Sequence, residues 1–222
     1  MSKAEIISRI RECGVIPVIR ASSAREALTV IEAIAEGGIT TMEVTMTVPD
    51  AVGLISEIAS KYGTKLLLGA GTVMDPETAR ECINAGAKFI VSPATNFDTI
   101  EYCNETETVV MPGALTPTEI VNAWDAGADI VKVFPADTMG GAKYLKSLKA
   151  PLPHIRLVPT GGVSQSTAAD FIKAGAEAIG VGADLVDLPA VRDGRIKDIT
   201  EAARKYLDIV KEARGSELHL RA

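Results

Sequence analysis

Aromatic residues make up only 4% of this 222-residue chain, and histidine occurs twice. A core with so few rings must be built from Val, Ile, Leu and Ala, the composition of buried parallel strands covered by helices. The two histidines are poorly placed for chemistry: His154 precedes an expected strand and His219 falls in an expected tail. A histidine-based mechanism and a histidine metal site are therefore not expected. Cysteine is nearly as scarce. Cys13, Cys82 and Cys103 show no paired metal spacing, and any disulfide scheme would leave one over. Reduced thiols in a cytoplasmic protein, with no metal and no cofactor, are the expectation.

Long apolar runs are missing too. No uncharged stretch approaches the ~18 residues of a membrane span. Lys3, Glu5, Arg9, Arg11 and Glu12 stand where a secretory signal would need an apolar segment. The formal charge of −6 repels a polyanion on average, so nucleic acid is not an expected partner.

What is present is an ordinary globular balance, 47% hydrophobic and 23% charged. No linker, low-complexity tract or charge block divides the chain, which reads as one domain over residues 1–222. A final helix is expected from Asp198 to Arg214, leaving 215–222 as a flexible tail.

Short apolar runs alternate with longer amphipathic ones. Those with strand character are Val15 to Arg20, Thr41 to Thr47, Leu66 to Thr72, Phe89 to Ser92, Val109 to Pro112, Ile130 to Phe134, Ile155 to Thr160 and Ala178 to Val181. Helix start signals follow most of them: Ser22 or Ser23, Asp75-Pro76, Asn96, Thr116-Pro117 and Ser164. Strand then helix, eight times over, predicts parallel strands joined by right-handed crossovers. The phrase Glu36-Gly37-Gly38-Ile39 recurs as Ala85-Gly86-Ala87-Lys88, Ala126-Gly127-Ala128-Asp129 and Ala174-Gly175-Ala176-Glu177. Each supplies a glycine able to end a helix in a left-handed cap before an even-numbered strand. A two-unit phrase repeated four times favours a closed (β/α)8 barrel. An open doubly wound sheet is the alternative, but it would ordinarily place a Gly-rich fingerprint after its first strand, and Gly69-Ala70-Gly71 lacks the third glycine.

Barrel chemistry occurs at the C-terminal ends of strands. Glu43, Thr45 and Thr47 share one strand face opposite Met42, Val44 and Met46. If the apolar face packs on helices, Glu43 points into the barrel. Lys132, flanked by Val131 and Val133, points inward by the same reasoning, and Arg20 reaches the mouth of the first strand. The second and sixth strands are diametrically opposed, so Glu43 and Lys132 face one another directly or through a water. The alternative is a buried ion pair that only fixes the interior, which would be weak grounds for its retention. At pH 7 only about 1 in 2,500 free lysines is neutral; burial or a neighbouring cation such as Arg20 raises that fraction, whereas ionised Glu43 lowers it. A neutral lysine attacks carbonyls to give an imine that acts as an electron sink, and a carboxylate beside it moves the protons. That pairing is the minimum equipment of a metal-free aldolase. After the seventh strand, Pro159-Thr160-Gly161-Gly162-Val163-Ser164 lets backbone N–H groups approach an anion, and Gly180-Val181-Gly182-Ala183 ends the eighth. The alternative is that these glycines only make tight turns.

From Gly14-Val15-Ile16-Pro17-Val18-Ile19-Arg20 to Gly180-Val181-Gly182 the chain resembles the 2-keto-3-deoxy-6-phosphogluconate (KDPG)/4-hydroxy-2-oxoglutarate (KHG) aldolase family. The motifs that carry the resemblance are Glu43-Val44-Thr45, Gly69-Ala70-Gly71-Thr72-Val73, Val91-Ser92-Pro93, Met111-Pro112-Gly113, Lys132-Val133-Phe134-Pro135 and Pro159-Thr160-Gly161-Gly162. The resemblance implies a cytoplasmic, homotrimeric class I aldolase of carbohydrate metabolism, of the Entner–Doudoroff type, acting on a small keto-acid. It implies Lys132 as the imine-forming residue and Glu43 as general acid/base. Arg20, Thr72, Pro93 and Phe134 would line the pyruvate half of the site, and Thr160, Gly161, Gly162, Gly182 and Ala183 would hold a phosphate. Two positions depart from the family pattern. Thr47 stands where many members have arginine, which shifts carboxylate binding towards Thr72 and backbone groups. Ala183 stands where many have serine, and Asp184 follows it, which weakens phosphate binding. Three other readings stay open: cleavage of KHG to pyruvate and glyoxylate, a phosphosugar isomerase using Glu43 alone, and a non-catalytic assembly scaffold. The isomerase leaves Lys132 without a task, and the scaffold leaves three site charges without one.

Overall fold

The structure is a computed structural model that describes residues 1–220. Nine strand segments form the centre: β1 Val15–Ile19, β2 Thr41–Thr45, β3 Leu67–Gly71, β4 Phe89–Val91, β5 Val109–Met111, β6 Gly113–Ala114, β7 Val131–Val133, β8 Leu157–Pro159 and β9 Ile179–Val181. All pairs are parallel. Six strands follow one another as β5-β4-β3-β2-β1-β9, and three as β6-β7-β8.

The two arrays are one barrel. β5 and β6 are halves of a single run interrupted at Pro112, which has no N–H to donate. The first half pairs with β4 and the second with β7, while the Pro112 carbonyl accepts from Lys132 N at 2.9 Å. A bridge between Thr160 and Gly180 links β8 to β9 and closes the ring. Counted this way there are eight strands, the expected (β/α)8 number.

Burial follows the predicted alternation. Met42 and Val44 belong to the large apolar cluster between strands and helices. A second cluster fills the barrel with Ile16, Leu67, Phe89, Val109, Met111, Ile130 and Val158, joined by Ile6 and Ile10. Those last two come from the helix Lys3–Cys13, opened by a capping box between Ser2 and Glu5. This helix closes the N-terminal end of the barrel, a role its charged sequence did not announce.

The repeated glycine phrase is a structural repeat. Gly38, Gly86, Gly127 and Gly175 have φ of 99°, 114°, 100° and 96°. The residue after each donates back to the helix it ends: Ile39 to Ile34 O, Ala87 to Cys82 O, Ala128 to Ala123 O and Ala176 to Phe171 O. These are Schellman bonds, which use up carbonyls a helix end leaves unpaired. In the first copy it is the second glycine, Gly38, that turns; Gly37 stays helical at φ −71°.

Ser23, Asp75, Asn96 and Thr116 cap helices as expected. Ser164 does not. A turn spans 164–167 and the helix runs Ala168–Lys173, and the Ser164 hydroxyl pairs with those of Ser166 and Thr167, at 2.8 and 3.2 Å, instead of with a backbone N–H. The final helix is Ile196–Leu220, longer at both ends than expected. Gly215 does not end it: a lone glycine costs a helix only about 1 kcal/mol unless it turns left-handed. The expected tail is thus helical as far as Leu220, and residues 221–222 lie outside the described residues. Among the described residues no helix is long and apolar enough to cross a membrane.

Candidate active site

Lys132 and Glu43 meet inside the barrel. Their side chains are 6% and 3% exposed, and Lys132 Nζ lies 3.6 Å from Glu43 Oε1. That is within ion-pair range but too long for a direct hydrogen bond. Glu43 Oε1 is buried with no hydrogen-bond partner. A void of about 10 Å³ adjoins both groups, together with Thr160 and Gly180, and is otherwise walled by Ile16, Val18, Val91, Met111 and Val158. It has room for one water or one substrate oxygen between amine and acid. The Phe134 ring centre lies 5.4 Å from Lys132 Nζ, an apolar wall beside the amine. Together these groups can carry nucleophilic attack on a carbonyl and proton transfer next to it.

Glycines make the space. A Cβ on Gly71 would fall 2.8 Å from Glu43 Oε1, and one on Gly69 would fall 2.2 Å from the Phe89 ring. Gly180 faces Thr160 in the same way, with its Oγ1 2.1 Å from such a Cβ. Gly69-Ala70-Gly71 is therefore a recess in the barrel wall and not a remnant of a dinucleotide fingerprint.

The other candidate residues ring the C-terminal ends of the strands. Arg20 follows β1, is exposed, and has no ion-pair or hydrogen-bond partner among the described residues. Thr72 follows β3 with φ 60°, a left-handed conformation that is costly for a β-branched residue and clusters at functional sites. Pro93 and Phe134 border a groove of about 400 Å³ together with Phe97 and Leu115. Thr160 lines the central void. Arg20, Thr72, Gly161, Gly162, Gly182 and Ala183 border neither cavity. Thr47 lies just beyond β2, where its hydroxyl is 2.6 Å from that of Thr45.

The two glycines after β8 turn left-handed, Gly161 at φ 99° and Gly162 at φ 67°. Among the described residues the amides of Gly162 and Ala183 donate to no protein acceptor, while that of Gly161 faces the Gly180 carbonyl across the β8–β9 bridge. Two carboxylates flank them. Asp137, which the sequence reading passed over, packs on the turn: a Cβ on Gly162 would fall 2.3 Å from Asp137 Cβ, and one on Gly161 would fall 3.2 Å from Oδ1. Its place five residues after Lys132, in the loop leaving the same strand, was the available signal. The Asp184 carboxylate accepts from Gln165 N at 3.2 Å and from the Tyr206 hydroxyl at 2.5 Å. Burial, then the bond to Asp184, push the Tyr206 hydroxyl far above its ordinary pKa and keep it a donor. Among the described residues no three His, Cys, Asp or Glu side chains are grouped to hold a metal ion.

A lysine and a carboxylate facing each other across a barrel belong to a known sequence pattern here. The sequence model of "KDPG and KHG aldolase" matches residues 6–202. The chain belongs to the KDPG and KHG aldolase family. The KHG/KDPG aldolase of Escherichia coli K12 is 32% identical over 89% of this chain and 92% of its own length. A solved KDPG aldolase from Legionella pneumophila, with pyruvate captured as a covalent carbinolamine, superposes with a TM-score of 0.83 at 28% identity, covering 90% of this chain and 96% of that one. A cube-shaped protein cage designed by fusing symmetric oligomeric domains reaches a TM-score of 0.84 at 29% identity, over 94% of this chain and 76% of that one.

Proposed function

We propose that this family member is a lyase, a class I aldolase that reversibly cleaves a 2-keto-3-deoxy-6-phospho sugar acid to pyruvate and glyceraldehyde 3-phosphate. The observation that carries the reading is the buried Lys132–Glu43 pair, held 3.6 Å apart with no hydrogen bond to Glu43 Oε1. Lys132, as the free amine, attacks the C2 ketone to give a carbinolamine, and loss of water leaves a protonated imine. Glu43 takes the proton from the C4 hydroxyl. The C3–C4 bond then breaks, its electrons pass to the imine nitrogen, and the aldehyde separates from an enamine of pyruvate. The protonated Glu43 returns its proton to C3, and water hydrolyses the imine to free pyruvate and the amine.

Arg20 supplies a cation for the substrate carboxylate, Thr72 and Pro93 line the pyruvate half, and Phe134 excludes water from the imine. The phosphate sits on the amides of Gly162 and Ala183, beside Thr160, Gly161 and Gly182. The active form is a homotrimer in the cytoplasm, as the family resemblance implies. Light scattering at micromolar concentration tests the trimer, and a monomeric mass would count against it.

Trapping tests the chemistry. Borohydride added with pyruvate should attach a pyruvate-derived mass to the peptide containing Lys132. Lys132→Ala should accept none and lose turnover; label on another lysine with Lys132→Ala still active would sink the mechanism.

Asp137 and Asp184 favour a second reading, in which KHG is the better substrate. Both carboxylates lie next to the amides assigned to phosphate, where they oppose a dianion. Comparing kcat/KM for KDPG, its galactonate epimer and KHG decides between the two.

A further inference from the structure

At the end of the barrel opposite the Lys132 site lies a cavity of about 790 Å³, lined by Arg11, Lys149, His154, Arg156 and Arg214 and by one carboxylate, Glu177. Four full positive charges thus converge on one carboxylate in a chain whose net charge is −6. They come from separate elements: Arg11 from the helix Lys3–Cys13, Lys149 from the helix Ala142–Lys149, Arg156 from the segment entering β8, and Arg214 from the final helix.

Three of the cations bond to backbone carbonyls and the fourth, Arg11, to the Glu177 carboxylate. Lys149 Nζ donates to Pro153 O at 2.9 Å and Ile155 O at 2.8 Å. Arg156 Nη1 donates to Asp129 O at 2.8 Å, and its guanidinium stacks 5.5 Å over the Trp124 ring. Arg214 Nη2 donates to Glu177 O at 3.0 Å. Arg11 Nε is 3.2 Å from Glu177 Oε1. The carbonyls orient Lys149 and Arg156 without neutralising them, and the ammonium and guanidinium forks have more donors than these bonds use. Burial holds the Lys149 pKa below its ordinary value, against the opposing pull of the Glu177 carboxylate. Lys149 and Arg156, like charges oriented by these bonds, repel one another until an anion enters, and their pre-orientation lowers the ordering cost of binding one. The volume suits a small ligand.

We propose that this cavity is a second binding site, for a small phosphorylated anion carrying two or more negative charges. Bidentate guanidinium–phosphate bonds from Arg11 and Arg156, with the Lys149 ammonium as a point charge, are the recognising chemistry. Such anions exist free or as the polyphosphate tail of a nucleotide, and the cavity admits both. The site stands apart from Lys132, so it does not depend on the aldolase reading.

Trp124 is the only tryptophan in the chain and touches two residues of the cavity wall, Arg156 and His154. Its fluorescence is a built-in reporter. Inorganic pyrophosphate and ADP are titrated in parallel into the full chain, against NaCl of matched ionic strength. A saturable Trp124 response to either, absent with NaCl and at least tenfold weaker in Arg11→Gln, is the expected result; the tighter of the two identifies the source. Arg11 is 68% exposed at its side chain, so the variant should fold and keep wild-type aldol turnover. A parallel rise in the thermal midpoint with pyrophosphate, smaller in the variant, is the second readout. No saturation with either probe, an equal response to NaCl, or undiminished binding by Arg11→Gln would each overturn the proposal.

Discussion

Gly71 and Glu43 occupy adjoining volume: a single added methyl on Gly71 would fall 2.8 Å from the carboxylate oxygen Oε1. Glu43 keeps its position because its neighbour on β3 has no side chain. Gly71→Ala should displace the acid from Lys132, lowering turnover at least tenfold while overpacking costs about 1–3 kcal/mol of stability. Steady-state kinetics and thermal unfolding measure the two effects. Wild-type turnover would show that the recess has slack.

Glu43→Gln leaves the amine in place and removes the proton carrier. Turnover should fall by about 10²–10⁴-fold, while pyruvate is still trapped on Lys132 by borohydride. Unchanged turnover would return Glu43 to a purely structural part.

The turn Gly161-Gly162 and the segment Gly182-Ala183 carry free amides with carboxylates beside them. Ala183→Ser adds a hydroxyl donor worth roughly 1.5–3 kcal/mol to a charged acceptor, and should raise kcat/KM for KDPG by about tenfold or more. It should leave KHG nearly unaffected. Asp137→Asn removes an opposing charge and should act in the same direction. Equal changes for both substrates would mean that no phosphate rests on these loops.

Burial pushes the Cys82 thiol up to about 11 and the Cys103 thiol up to about 12. At pH 8 only roughly 1 in 1,000 or fewer of either is thiolate, the reactive form. Cys13 is half-buried, and it alone should react with an aromatic disulfide reagent in the native protein. Release of three equivalents at the rate of the denatured chain would contradict this packing.

The barrel was legible in the sequence because two independent periodicities agreed: strand alternation around Glu43 and Lys132, and the recurring glycine before alternate strands. Alternation alone placed both charges inside, and the Schellman bonds at Gly38, Gly86, Gly127 and Gly175 explain the second pattern. What could not be read depended on residues distant in the chain. The N-terminal helix shows two buried isoleucines, Ile6 and Ile10, among many charges, and nothing local says that they face a barrel end. Gly69 and Gly71 explain themselves only once Phe89 and Glu43 are seen opposite. Ser164 has the residue type of a helix cap, but its hydroxyl is engaged by those of Ser166 and Thr167. The carboxylate of Asp184 is claimed by Gln165 and Tyr206, one on a neighbouring loop and one on the final helix.

The helix Lys3–Cys13 has a kinetic consequence. With Ile6 and Ile10 packed into the barrel interior, the chamber holding Lys132 has a floor and a single door. In the proposed cleavage the pyruvate half is bonded to Lys132 at the inner end, and the aldehyde half lies between it and that door. The aldehyde must therefore depart first and pyruvate second, so the enzyme releases its products in a compulsory order. Run backwards, pyruvate must enter before the aldehyde, and excess aldehyde arriving early should block the way in.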